Sequence, residues 1–187
     1  MTTAPKPEVD EEAGPDDGNG ERALREEIYD DVADGADEVD VVWPYDSWLN
    51  GNSTIAGDLV AACKDACGST AHLKVILETG RLQTATAIAG SSRDAIAAGA
   101  DFIKTSTGKT PVSATLEAAH IMLEAIRDSG KPVGLKPSGG IRTTEQALAY
   151  LRLADNIMGA GWATPETFRF GASSLLDALL KTLGHKG

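Results

Sequence analysis

Residues 101–109 read DFIKTSTGK. The stretch starts as an apolar strand, carries Lys104 where the strand is still inward, and dissolves into Thr105, Ser106, Thr107, Gly108 and Lys109. A lysine taken out of water loses its hydration and tends to shed its proton, so such a position is costly unless a neutral amine is useful there. Strand parity puts Phe102, Lys104 and Ser106 on one side and Ile103 and Thr105 on the other.

On either side of this stretch the chain alternates between strand-like and helix-like segments. Residues 22–35 read as a helix, ADEVDVV as a strand, GDLVAACKDACG as a helix and LKVILET as a strand. A weaker helix runs from Gln83 to Ala98, where Gly90, Ser91 and Ser92 interrupt the pattern. After DFIKTST come the helix ATLEAAHIMLEAIRDSG, the strand PVGLKPSG, the helix TTEQALAYLRLAD, the strand FRFGAS and the helix SLLDALLKTLG. Ala119, Met122, Leu123 and Ile126 form a buried stripe that Gly130 and Pro132 terminate, and Thr143 and Gln146 have capping-box spacing. Alternation of this kind calls for a parallel sheet with crossover helices.

Five strand starts fall near residues 37, 73, 100, 132 and 167. Their spacing fits the roughly 31 residues per unit of an eight-unit barrel of about 250 residues, and it fits an open doubly wound sheet as well. Five strands are expected where a closed barrel has eight.

Of the 28 acids and 17 bases in the 187 residues, 15 acids and three bases fall in the first 40, which leaves 13 and 14 in the remainder. The net charge of -11 therefore belongs to one end of the chain. Residues 1–21 combine Pro, Gly and acid with almost nothing apolar and are expected to be a disordered tail. Residues 22–187, in a chain that is 42% hydrophobic, are expected to form one domain. No basic face favours nucleic acid, and no long apolar run or basic leader favours a membrane or secretion, so a cytoplasmic protein is expected. Cys63 and Cys67 lie on a stripe with Leu59, Ala62 and Ala66 and read as reduced core residues.

Polar clusters gather where each strand gives way to its loop, the end at which parallel α/β proteins place active sites. Lys104 and Lys136 reach the same rim from neighbouring strands, with Pro137 holding Lys136 extended. A nearby cation and partial desolvation both depress an amine's pKa, and bringing a lysine from about 10.4 to about 7 takes roughly 4 to 5 kcal/mol of such bias. That is the recipe for a Schiff-base lysine. Either residue would otherwise be a surface lysine that extends its ammonium to water, as Lys74 in LKVILET is read to be. Asp40, on the side of its strand shared by Glu38 and Val42, either exchanges protons with a lysine across the mouth or merely pairs with one. Gly139, Gly140 and Arg142 in SGGIRT, and Gly171, Ser173 and Ser174 in FGASSLL, supply close backbone approach, charge and helix starts for an anion. Together these loops point to a phosphorylated substrate. His72, His120 and His185 are scattered, so no metal site is expected.

The blocks ADEVDVV, LKVILETG, AGADFIKTSTGK, GLKPSGGIRT and FRFGASSLL stand in the order and spacing of the deoxyribose-phosphate aldolase family, which the chain resembles from about residue 22 to residue 185. The resemblance implies a (β/α)8 TIM barrel, here a partial one with about five of eight strands. It also implies a class I, metal-free and cofactor-free lyase that cleaves 2-deoxy-D-ribose 5-phosphate to D-glyceraldehyde 3-phosphate and acetaldehyde in deoxyribonucleotide catabolism. On that likeness Lys104 is the Schiff-base nucleophile, Lys136 the second lysine that lowers its pKa and Asp40 the proton-relay carboxylate. Lys109, Gly139, Gly140, Arg142, Gly171, Ser173 and Ser174 fall on the phosphate side.

The sequence departs from the family in putting the acidic tail where three strand-and-helix units are expected, and in ending LGHKG without the longer tail of some relatives. A partial barrel exposes unpaired edges, so a homodimer or a complementing N-terminal fragment is expected to close it. A catalytically inactive remnant or a phosphosugar-binding module is the alternative reading, and another imine-forming barrel enzyme fits five matching blocks poorly.

Overall fold

The strand-and-helix rhythm assembles into one parallel sheet backed by helices. The computed structural model describes residues 19–184. In chain order its elements are α1 (Asn19–Ala33), β1 (Glu38–Val42), α2 (Tyr45–Leu49), α3 (Ser53–Cys67), β2 (His72–Ile76) and α4 (Thr79–Leu82). They continue as α5 (Ala85–Ala97), β3 (Phe102–Lys104), α6 (Leu116–Ser129), β4 (Gly134–Lys136), α7 (Thr144–Met158) and α8 (Leu175–Thr182). The strands stand in the order β1-β2-β3-β4, each pair parallel. Strand order that follows chain order without reversing is barrel order, whereas a doubly wound sheet reverses at a switch point. The sheet is thus an arc of a (β/α) barrel.

Period-two alternation gives the arc two faces. Val39, Val41, Leu73, Val75, Ile103 and Leu135 enter the hydrophobic core beneath the helices. The alternate residues Asp40, Lys74, Phe102, Lys104 and Lys136 face the other way, into the concave side. On the helical side Ala119, Met122, Leu123 and Ile126 are all buried, as their stripe requires, and each large apolar side chain so buried contributes about 1.5–3 kcal/mol. Thr115 caps α6 by accepting from the Ala118 N–H, and Gly130 ends it in the left-handed conformation. Thr143 and Gln146 form the expected capping box at the start of α7.

Several expectations change. Five strands were expected and four are present among the described residues; the segment around FRFGAS is reduced to isolated bridges, Leu135 to Phe168 and Ser138 to Gly171. Pro137 supplies the reason. The rungs Leu135 N–H to Thr167, Arg169 N–H to Leu135, Gly171 N–H to Pro137 and Gly139 N–H to Gly171 are all made. The one rung that would come from position 137 has no N–H to make it.

The helix from Gln83 to Ala98 is continuous over Ala85–Ala97 despite Gly90, Ser91 and Ser92. Ser92 returns its hydroxyl to the Ile88 carbonyl, and Gly90 lets the Trp48 ring press against the helix, whose indole N–H is held 2.8 Å from Asp94. In α3 the buried face is Ala56, Val60, Cys63, Ala66 and Cys67, with Leu59 and Ala62 at its margin. Both cysteines are free and buried, and burial, reinforced by the neighbouring Cys67, pushes the Cys63 thiol up to about 11. Asn19, Gly20 and Glu21, read as the end of the tail, belong to α1; the rest of the tail and His185 lie outside the described residues. No helix among the described residues is long and apolar enough to cross a membrane.

Gly134 faces the concave side, where the Phe102 ring occupies the space of a side chain: a Cβ there would stand 2.2 Å from a ring carbon. Overpacking of this kind costs about 1–3 kcal/mol. Gly134→Ala is therefore expected to lower the unfolding free energy by that amount in urea titrations. An unchanged midpoint would show that the Phe102 ring gives way freely.

Candidate active site

The concave face carries an alternating chain of charge. Lys104 ends β3 and Lys136 ends β4, and the two are direct neighbours in register. Both point their ammonium groups at one oxygen of Asp40, with Nζ to Oδ2 distances of 2.6 Å from Lys104 and 2.9 Å from Lys136. The other oxygen of Asp40 lies 3.6 Å from Lys74 Nζ. Lys74 is bound at 2.6 Å to Glu38, and Glu38 is bound at 3.1 Å to Arg169, whose guanidinium also lies over the Phe102 ring. Four cations thus share two carboxylates.

Asp40 on β1 reaches Lys136 on β4 across three interstrand gaps, roughly 14 Å in a flat sheet. One aspartate and one lysine cannot span that distance, so the contact depends on the curvature of the arc. Burial pulls the Asp40 carboxyl upward, but hydrogen bonds and charge from Lys104 and Lys136 outweigh it and hold the group below its usual range. Glu38 follows the same pattern, burial opposed by Lys74 and Arg169, and is also held low.

Lys74 corrects the sequence reading. It is not a surface lysine but a buried one, its side chain 3% exposed. β2 has a strand on each side and Lys74 points into the concave face, so its ammonium has no path to solvent and pairs with Glu38 instead. The available signal was register: aligning ADEVDVV with LKVILET places Lys74 beside Asp40. Glu38 and Arg169 were missed for the same reason, since their partners lie on distant segments.

The second cluster lies beside the first. Residues 107–108, 138–142 and 171–174 line a cleft of about 260 Å³. Gly139, Gly140, Arg142, Gly171, Ser173 and Ser174 all contribute to it, next to the starts of α7 and α8, where helix N–H groups favour an anion. Lys109 does not line the cleft. It is exposed one residue beyond Gly108, and its backbone N–H donates to Thr107 Oγ1. His72 and His120 stand next to Asp101 and Glu124, away from the lysines, and no cluster of three potential metal ligands occurs among the described residues.

A parallel (β/α) arc with its charged side chains and a glycine-lined cleft at the rim defines a protein of the (β/α)-barrel class. The model of the DeoC/LacD family aldolases matches residues 14–181. Among solved structures, QR15, an aldolase, is 27% identical with a TM-score of 0.72 over 90% of this chain and 70% of its own. A protein from Coccidioides immitis assigned as a deoxyribose-phosphate aldolase is 33% identical, TM-score 0.72, over 85% of this chain and 57% of its own. Another so assigned, from Toxoplasma gondii ME49, is 25% identical, TM-score 0.79, over 92% and 69%. The chain therefore spans between 57% and 70% of the length of these structures. It belongs to the DeoC/LacD family of aldolases.

The lowered carboxylates set a pH dependence. A depressed folded-state pKa contributes stability that is present above the unfolded value, near 4, and is lost as pH falls through the folded one. Lys74→Met takes from Glu38 its 2.6 Å partner, leaving it Arg169 alone, and is expected to cost about 2–4 kcal/mol at pH 7, since removing one partner of a largely buried pair is expensive. The deficit should shrink in thermal melts as pH falls from about 4 through the lowered folded-state value of Glu38, where protonation removes the charge that Lys74 pairs with. A deficit that stays constant with pH would show that Lys74 acts by packing alone.

Proposed function

We propose that the chain is a class I deoxyribose-phosphate aldolase, metal-independent, with Lys104 as its Schiff-base nucleophile. The observation that carries this reading is the sharing of one Asp40 oxygen by Lys104 and Lys136 beside a glycine-lined cleft. Lys104, the more buried of the two lysines on that oxygen, is the nucleophile, and Lys136 stands beside it.

The amine of Lys104 adds to C1 of open-chain deoxyribose phosphate, and the carbinolamine loses water to give a protonated imine. The C2–C3 bond then breaks. Its electron pair passes to the iminium and forms an enamine, while the C3 hydroxyl gives up its proton and becomes the aldehyde of glyceraldehyde 3-phosphate. The enamine takes a proton at C2, and water hydrolyses the resulting imine to acetaldehyde and free Lys104. Asp40, in hydrogen-bond contact with both lysines, carries the protons between these steps. The phosphate sits in the cleft against Gly139, Gly140 and Arg142 from one loop and Gly171, Ser173 and Ser174 from the other, with Lys109 at its margin. The DeoC/LacD family and the deoxyribose-phosphate aldolases among the similar structures support the substrate.

Borohydride reduction in the presence of acetaldehyde should add one ethyl group to the chain, read by intact mass and mapped to Lys104, and Lys104→Ala should abolish it. Asp40→Asn is expected to lower kcat by about 10²–10⁴-fold, the usual contribution of a positioned acid or base. An adduct on another lysine, or none, sinks the assignment. Because the chain spans only part of the length of similar structures, a phosphosugar-binding role without turnover is the second reading. Phosphate binding with no trapped adduct would select it.

A further inference from the structure

Glu78 has no place in the lysine cluster, yet it is 2% exposed and sits in the left-handed conformation, with φ of 53° and ψ of 60°. A non-glycine residue held there, with a carboxylate buried, needs a compensating reason. Its bonding supplies one. Oε2 accepts from both the backbone N–H (3.2 Å) and the hydroxyl (2.5 Å) of Thr107, and Oε1 accepts from the Thr110 hydroxyl at 3.1 Å. The Lys109 N–H in turn donates to Thr107 Oγ1 at 3.1 Å. One buried carboxylate therefore organises the whole turn that follows the Lys104 strand, through neutral donors. That turn forms one wall of the cleft: Thr107 and Gly108 line it, and Gly108 packs close to Gly139 of the opposite wall.

We propose that Glu78 is a positioning residue for recognition of the substrate's phosphate end, shaping the Thr107–Lys109 turn against the Gly139–Gly140 loop. The proposal rests on the phosphate reading of the cleft given above. Glu78 acts as an acceptor for neutral groups, so the amide of a glutamine can replace most of its bonds: its oxygen serves Thr107, and its NH₂ donates to the Thr110 hydroxyl, whose own proton then turns to the Val112 carbonyl 3.0 Å away. An alanine replaces none.

The test compares two substrates and one ligand. For Glu78→Ala, kcat/KM for deoxyribose 5-phosphate relative to unphosphorylated deoxyribose is expected to fall at least tenfold, mostly through KM. Borohydride trapping of acetaldehyde, which has no phosphate, should stay within twofold. Glu78→Gln should recover the ratio to within threefold. Inorganic phosphate should raise the melting temperature of the unaltered chain and of Glu78→Gln but not of Glu78→Ala.

Equal loss on all substrates overturns the proposal and assigns Glu78 to general stability, and so does an unchanged ratio. If the unaltered chain traps acetaldehyde but does not respond to phosphate, the phosphate reading fails and the proposal fails with it. If it binds phosphate but traps nothing, the aldolase reading alone fails and the melting-temperature comparison still decides the role of Glu78. Should Glu78→Ala not fold, Thr110→Val removes one of the bonds from outside the cleft. It should weaken the phosphate response and speed amide exchange at Thr107 and Lys109; no change in either overturns the proposal.

Discussion

The arrangement depends on one carboxylate oxygen serving two ammonium groups. Asp40 Oδ2 ties the outermost strand, β1, to the ends of β3 and β4, and only a curved sheet allows it. Curvature comes from the fold, but the contact in return holds the fold to that curvature, because two buried amines without a counter-charge would repel each other and seek water. Lys74, on the strand between Asp40 and Lys104, links the two carboxylates by binding Glu38 and approaching the second oxygen of Asp40, and Arg169 extends the same alternation beyond Glu38. The concave face is thus rich in charge, set against a largely apolar layer on the side of the helices.

Much of this was legible in the sequence, for identifiable reasons. Strand parity alone placed Lys104 and Lys136 on one face and Ile103 and Leu135 on the other, since period two admits no other arrangement within a strand. The capping box of α7 and the stripe of α6 are local as well, encoded within four to eight residues. The loop residues Gly139, Gly140, Arg142, Gly171, Ser173 and Ser174 meet in one cleft because parallel strands deliver their C-terminal loops to a common rim.

What escaped depended on distant pairing. Lys74 looks like a surface lysine until β1 is laid beside it, and Arg169 has no assignable partner until Glu38, far back in the chain, is brought near. Glu78 was passed over because its partners, Thr107 and Thr110, lie beyond the next two helices and a strand. Gly90 misled in the opposite direction: it reads as a helix breaker, and the Trp48 ring that makes its bare backbone useful belongs to a short helix the pattern does not announce. In each case the missing information was the identity of a neighbour in space.

The absent donor at Pro137 has a mechanical consequence. It falls between the level of Lys136, where the charge network is fixed, and the level of Gly171, where the glycine-lined wall begins. The seam between Leu135 and Gly171 is therefore held by one hydrogen bond fewer than a complete ladder of that length. A single imino acid thus marks the boundary between the level of the amines and the level of the glycine-lined wall.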